Sequence, residues 1–257
     1  MSDERRETPE DRREIILSHL SSRDRVSVGE LAHLLGVSEV TVRKDLDQLE
    51  AQGLLTRVHG GAIVSGRGRL ELHFATREQQ QIEEKRRIAQ AAAALIEPHQ
   101  RIFLDASSTA LQIARLIKDR DDLLVITNGL YTALELTFSQ GITTIVVGGR
   151  MRRRSSSLVG VTSELERLRV DLGFFGAAGV TGRDGLTETD LDEAQLKQWM
   201  VRVSGMVIGV VDSQKFGIAQ LNAFALPREL DRVITDTAAP PAIINELRSQ
   251  DVIVDLV

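Results

Sequence analysis

The sequence has no cysteine in its 257 residues. That excludes disulfides and thiolate metal sites and fits a reducing compartment. It has no apolar run long enough to span a bilayer, and its first residues are polar, unlike a signal peptide. A cytoplasmic protein with no membrane partner is therefore expected. Excess positive charge is also missing: 32 Lys and Arg stand against 37 Asp and Glu, a net charge of −5. A uniformly basic nucleic-acid coat is excluded. A local DNA-reading surface is not, because affinity depends on the charges near the phosphates. The five histidines lack metal-ligand spacing, and no Gly-x-Ser-x-Gly or Walker sequence occurs. No metal, cofactor or catalytic residue is assigned.

What is present centres on Val28–Leu46, which reads as two short helices joined by a tight turn. Val28, Leu31, Ala32 and Leu35 recur at i, i+3, i+4 and i+7, one apolar helical face. Gly36 stands where a helix end favours a left-handed residue. Ser38 offers a hydroxyl cap to a second helix, in which Val42, Leu46 and Leu49 face inward. At about 100° per residue, Val40, Thr41, Arg43 and Lys44 turn outward or to the flanks. A helix held from behind, with hydroxyl and cationic groups near its start, is the recognition helix of a helix-turn-helix. Ser38, Thr41, Arg43 and Lys44 are accordingly assigned to DNA phosphates or base edges.

A first helix is expected around Arg12–Leu20, broken by Ser21-Ser22-Arg23-Asp24. Gly53 ends the recognition helix, and Leu54–Val64 reads as a hairpin with a glycine turn. Three helices and a hairpin make a winged helix-turn-helix. Its wing brings Arg57 and His59 towards the DNA backbone, or Gly60-Gly61 is merely a turn. His33 is read as half-buried and structural.

The domains follow: a flexible arm over 1–11, the winged helix over 12–64, a Gly/Arg linker over 65–76, and a larger α/β domain over 77–257. A long helix is expected from about 77 to 96, stopped by Pro98. Beyond it, short apolar strands alternate with helices, the pattern of a mostly parallel sheet.

In such sheets ligands sit beyond the carboxyl ends of the strands. Those ends are small, polar or glycine-rich: Asp105-Ala106-Ser107-Ser108-Thr109, Thr127-Asn128-Gly129, Gly148-Gly149-Arg150, Gly179-Val180-Thr181-Gly182 and Asp212-Ser213-Gln214-Lys215. Ser107, Ser108 and Thr109 lead into a helix start, where hydroxyls and backbone N–H groups cradle an anion such as phosphate. Lys197 and Lys215 are candidates to neutralise it. The plainer readings are that the hydroxyls are helix caps and Gly148-Gly149 a turn. Arg152-Arg153-Arg154 is read as a solvated loop, and Trp199 as core or interface.

These segments together resemble the DeoR family of bacterial transcriptional regulators over nearly the whole chain. Arg12, Ile16, Leu20 and then Ser38-Glu39-Val40-Thr41-Val42-Arg43-Lys44-Asp45-Leu46 keep the family's spacing. Arg57-Val58-His59-Gly60-Gly61-Ala62 resembles its wing. Glu84-Lys85-Arg86-Arg87-Ile88-Ala89, Phe103-Leu104-Asp105, Thr127-Asn128, Gly148-Gly149, Gly185-Leu186-Thr187-Glu188 and Asp212-Ser213-Gln214-Lys215-Phe216-Gly217 resemble its sensor domain. The resemblance implies a fold similar to ribose-5-phosphate isomerase and an effector that is a phosphorylated sugar. It adds Glu188 to the crevice, beside Asp105, Ser107, Ser108, Thr109, Thr127, Asn128, Gly148, Gly149, Gly179, Lys197 and Lys215. One departure stands out. Where the family often has Asp-x-Gly-Thr-Thr, this chain has Asp105-Ala106-Ser107-Ser108-Thr109, so the hydroxyls remain and the glycine is lost.

Two functions follow. One is a repressor of carbohydrate-metabolism genes, a homodimer or homotetramer on double-stranded operator DNA, released by a sugar phosphate. The other is an isomerase-like enzyme with an accessory DNA-binding domain, which needs a carboxylate at the substrate's C–H. The winged helix favours the first.

Overall fold

The computed structural model describes residues 8–23, 25–51, 54–64, 74, 77–152, 155–160 and 167–257. The chain divides into two compact units, one within residues 1–80 and the other within 81–257. The expected linker at Ser65–Arg69, the helix end at Gly53, and Arg153 and Arg154 lie outside the described residues.

The first unit runs α1 (Pro9–Arg23), β1 (Arg25–Ser27), α2 (Val28–Leu35), α3 (Glu39–Ala51), β2 (Leu55–Val58) and β3 (Gly61–Val64). Local chemistry sets the helix ends. The Ser27 hydroxyl accepts from the Glu30 N–H at 3.2 Å, and the Glu30 carboxylate accepts from the Ser27 N–H at 3.0 Å. This reciprocal box starts α2. Gly36 ends it at φ 62°, a left-handed conformation that costs glycine nothing. The Ser38 hydroxyl then accepts from the Thr41 N–H at 3.2 Å and starts α3. Ile16, Leu20, Leu31, Val42, Leu46 and Leu49 close the core behind it. Arg12 of α1 grips Asp45 of α3 through two bonds, Nε–Oδ2 at 3.0 Å and Nη2–Oδ1 at 3.3 Å. The wing is an antiparallel sheet in the order β1-β3-β2. A Cβ on Gly61 would lie 2.0 Å from the Val26 carbonyl oxygen, so only glycine lets β3 approach β1.

Two expectations change, and one strand appears that the sequence did not show. Ser21-Ser22-Arg23 does not break α1, which runs to Arg23 because Ile16 and Leu20 anchor it in the core. His33 is exposed, one residue beyond the buried stripe. Strand β1, three residues long, is too short for an alternation signal.

The second unit opens with α4 (Ile82–Ala94), shorter than expected at both ends. A seven-stranded sheet follows, in the order β15-β14-β12-β9-β4-β5-β6. Its members are β4 (Arg101–Leu104), β5 (Leu123–Thr127), β6 (Ile142–Val146), β9 (Val170–Phe175), β12 (Ser204–Val210), β14 (Arg232–Thr235) and β15 (Ile253–Leu256). Every pairing in it is parallel. Helices α5 (Ser108–Ile117), α6 (Leu130–Glu135), α7 (Leu191–Val203) and α8 (Pro241–Arg248) link or flank these strands. Two apolar layers form. Ile88, Ala92, Ala110, Ile113 and Ile117 pack on one face of the sheet. Ala194, Leu196, Met200, Val201, Ile244 and Leu247 pack in the other layer. Small antiparallel additions went unseen in the sequence: the hairpin β7 (Arg150–Arg152) and β8 (Ser157–Val159), and the sheet of β10 (Gly179–Thr181), β11 (Gly185–Glu188) and β13 (Asn222–Ala225). Among the described residues no helix is long and apolar enough to cross a membrane.

Candidate DNA-reading face and effector crevice

On α3, Val40, Arg43 and Lys44 are exposed, whereas Val42, Asp45, Leu46 and Leu49 are buried. The helix thus shows one face and is held by the other. Thr41 is half-buried, with its hydroxyl 2.9 Å from that of Ser38. Arg43 lies 2.6 Å from Glu39, one turn back, and both are exposed. Such a pair is weak and exchangeable. Lys44 has no partner among the described residues. On the wing His59 is exposed, but Arg57 is turned back onto α3. Its N–H donates to Glu50 at 2.7 Å, and its Nε lies 3.5 Å from Asp47.

In the second unit the sheet order reverses between β4 and β9: connections from β4 run outward through β5 and β6, and from β9 through β12, β14 and β15. That reversal opens a crevice at the strand ends. Asp105, at the end of β4, is fully buried there. Its Oδ1 accepts from the Ser107 N–H at 3.0 Å, and its Oδ2 from the Gly176 N–H at 2.9 Å, joining β4 to β9. Lys197 of α7 is buried beside it. Its ammonium reaches Asp105 Oδ2 at 3.0 Å, Glu188 Oε2 at 2.9 Å and the Gly176 carbonyl at 2.9 Å. These three acceptors use all three of its protons. Burial alone would lower the Lys197 pKa, but Asp105, Glu188 and Glu193 hold it above its ordinary value.

Lys197 is therefore a fastener within the crevice wall, with no donor left for a ligand. Lys215 does not join it. It lies in the 3-10 turn Ser213–Lys215 after β12, and its ammonium is unpaired among the described residues.

At the mouth of the crevice the Ser107 hydroxyl caps α5 by accepting from the Ala110 N–H at 3.1 Å. Ser108 and Thr109 are buried in the first turn, and the Thr109 N–H has no acceptor among the described residues. The Thr127 hydroxyl accepts from the Gly129 N–H at 3.0 Å. Asn128 donates to the Leu158 carbonyl at 3.1 Å, while its Oδ1 is buried without a partner among the described residues. Asp105, Ser107, Ser108, Thr109, Thr127, Asn128, Glu188 and Lys197 thus occupy the strand ends about the switch point or their supports. The glycines have packing roles. Gly148 has φ 96°, and a Cβ there would lie 2.8 Å from the Leu158 carbonyl carbon. Gly149 bonds the Val159 carbonyl at 3.0 Å. A Cβ on Gly179 would lie 2.2 Å from the Ile218 carbonyl oxygen.

Several participants escaped the sequence reading. Gly176 follows β9 and touches Asp105 across 71 residues. Arg152 is a correction: it is half-buried in β7 and bridges Asp190 at 3.0 Å and Glu193 at 2.5 Å. Arg150 pairs with Asp192 alongside. These pairs clip the β7–β8 hairpin to the start of α7. Burial pushes the Glu193 pKa up, with Lys197 and Arg152 opposing and Glu188 and Asp105 reinforcing the rise. The i, i+4 spacing of Glu193 and Lys197 was the one local sign of this cluster.

Two family models match the chain. A DeoR-like helix-turn-helix domain matches residues 12–67. A DeoR C terminal sensor domain matches residues 80–237. The HTH-type transcriptional regulator GolR of Listeria innocua is 34% identical, over 93% of this chain and 95% of its own. A putative aga operon transcriptional repressor of Escherichia coli O157:H7 is 34% identical, over 96% and 93%. Among solved structures, a D-ribose-5-phosphate isomerase in complex with phospho-erythronic acid aligns over 52% of this chain and 54% of its own. It is 17% identical, with a TM-score of 0.40. That likeness is too low to carry an argument about activity, whereas the regulators match nearly end to end.

Proposed function

The chain belongs to the DeoR family of DNA-binding transcriptional regulators, and from that premise we propose that it represses carbohydrate-metabolism genes under the control of a phosphorylated sugar. The family is one of regulators, so the isomerase alternative is not favoured. The observation that carries the reading is α3 itself, buried along Val42, Leu46 and Leu49 and open along Val40, Arg43 and Lys44. Two copies place two such helices in successive major grooves of a repeated operator. Ser38, Thr41, Arg43 and Lys44 meet phosphates or base edges, with His59 on the wing. Arg57 joins them by leaving Asp47.

The effector enters the crevice between β4 and β9. Its phosphate meets the α5 start, where the hydroxyls of Ser108 and Thr109 and the Thr109 N–H supply donors. The buried Asn128 Oδ1 offers an acceptor to a sugar hydroxyl. Asp105, Glu188 and Lys197 hold these loops in place. Binding favours a state whose two recognition helices are wrongly spaced for DNA.

The DNA half of the reading is tested on DNA from upstream of the protein's own gene and its neighbours. Arg43→Ala should cost about 1–3 kcal/mol of operator binding if the side chain reads a base. Lys44→Ala should weaken specific and random DNA alike and flatten the salt dependence. Unchanged affinity in both folded variants removes α3 as the reader.

A further inference from the structure

The seven-stranded sheet has two edges, and they differ. At one, β15 carries Asp255, paired with Arg232 of β14 at 2.5 Å. At the other, β6 reads Ile142-Thr143-Thr144-Ile145-Val146, with no charge, proline or glycine. Edge strands are usually protected by such residues, because free N–H and C=O groups invite another strand. The ladder shows which groups are free. The Gly141 carbonyl accepts from the Leu123 N–H, and the Val147 N–H donates to the Thr127 carbonyl. Alternate residues point the same way, so 141, 143, 145 and 147 serve β5, and Thr144 and Val146 turn both backbone groups outward. Ile142 turns its carbonyl outward too, while its N–H is held by the Ser139 carbonyl at 3.3 Å.

Beside this edge lies a groove of about 550 Å³ between α6 and β6, lined by Leu130, Ala133, Leu134, Ile142, Thr144 and Val146 among others. Phe138, next to it in the chain, is 92% exposed, and Leu134 is 66% exposed. From Leu130 to Val147 the only charge is Glu135, already paired with Arg115 at 3.3 Å. We propose that a second copy of this chain docks here, with β6 pairing antiparallel to its own counterpart about a two-fold axis at Thr144.

A nucleic acid or a charged peptide finds no partner charge on this face. An identical uncharged strand needs none. Pairing about Thr144 sets Thr144 opposite itself and Ile142 opposite Val146, and these are the residues whose backbone groups face outward. The axis stands perpendicular to the sheet, so both α6 helices lie on one face and Leu134 and Phe138 meet their counterparts. The proposal draws on the regulator reading only in that a repeat-reading protein works as two copies.

The test is the molar mass of the full chain by sedimentation equilibrium over a dilution series. The wild type should be a dimer or a multiple of one. Phe138→Glu changes a surface position only. Thr144→Pro removes an outward N–H and leaves the β5 ladder intact. Each should weaken self-association by about tenfold or more while the far-UV circular dichroism of the folded chain stays that of the wild type. Thr144→Cys, alone in a cysteine-free chain, should oxidise to a linked dimer, since facing Cα atoms in such a pair lie about 5.5 Å apart. A wild type that stays monomeric overturns the proposal and gives the patch to another occupant. So does Phe138→Glu at wild-type mass together with Thr144→Cys that fails to link. Operator binding on the same samples separates the two readings: a protein that dimerises through β6 and ignores DNA contradicts the repressor alone.

Discussion

Replacing Lys197 by Met keeps the apolar stem of the side chain and deletes its charge. In the structure that charge sits among Asp105 Oδ2 at 3.0 Å, Glu188 Oε2 at 2.9 Å and the Gly176 carbonyl at 2.9 Å, with Asp105 fully buried. Removing it takes from the fully buried Asp105 the ammonium paired with it. Breaking a buried pair in this way costs about 3–5 kcal/mol. For a unit of this size, 1 kcal/mol is roughly 2–4 °C of melting temperature, so a fall of roughly 6–20 °C is expected. Trp199, the single tryptophan, lies in α7 two residues from Lys197, so its fluorescence reports this unit alone. The pH sense is fixed. The Lys197 pKa lies above its ordinary value, so its contribution is complete below that ordinary value. It is lost only as pH rises through the folded value, and the full effect therefore shows at neutral pH. Adding Asp105→Asn and Glu188→Gln should restore much of the loss, because no uncompensated charge then remains. A loss under about 1 kcal/mol at neutral pH refutes the reasoning.

Asp45→Ala removes the Arg12–Asp45 pair at the α1–α3 contact and should cost roughly 1.5–3 kcal/mol in the first unit, the worth of hydrogen bonds to a charged group. Operator binding should fall although neither residue belongs to the reading face, as thermal melts and DNA titration will show. Glu193 has a raised pKa, so its contribution is complete below its ordinary value and lost as pH rises through the folded one. Glu193→Gln should therefore lessen the decline in stability from acid to neutral pH. An unchanged pH–stability curve contradicts the burial argument.

The winged helix was legible in the sequence because its signals are local. Ser38, Gly36 and the Val42-Leu46-Leu49 stripe each act within a turn or two of chain. The parallel sheet was legible in the same way, from short apolar runs between helices. Element ends moved by a few residues wherever packing outweighed a breaker, as at Ser21-Ser22. The crevice was legible only as strand ends. Its contacts join distant residues, Asp105 to Gly176 and Lys197, and Arg152 to Glu193. Arg152 looked like one of three solvated arginines because nothing near it in sequence announces Asp190 and Glu193. Lys197 looked like a ligand for phosphate because a sequence does not show that two carboxylates and a carbonyl already take its protons. Strands of three residues, such as β7 and β10, carry too few side chains to establish a period.

The central claim is that a phosphorylated sugar bound at the α5 start controls DNA binding. The direct measurement is operator affinity titrated with a panel of hexose and pentose phosphates, for wild type and Thr109→Val side by side. The account predicts that one sugar phosphate weakens wild-type binding, with a hundredfold loss equal to a coupling of about 2.7 kcal/mol. It predicts that Thr109→Val binds the operator normally but needs more effector, a loss of roughly 1.5–3 kcal/mol if the hydroxyl bonds the charged phosphate. No response to any sugar phosphate, or an equal response from the folded variant at the same concentration, would contradict it.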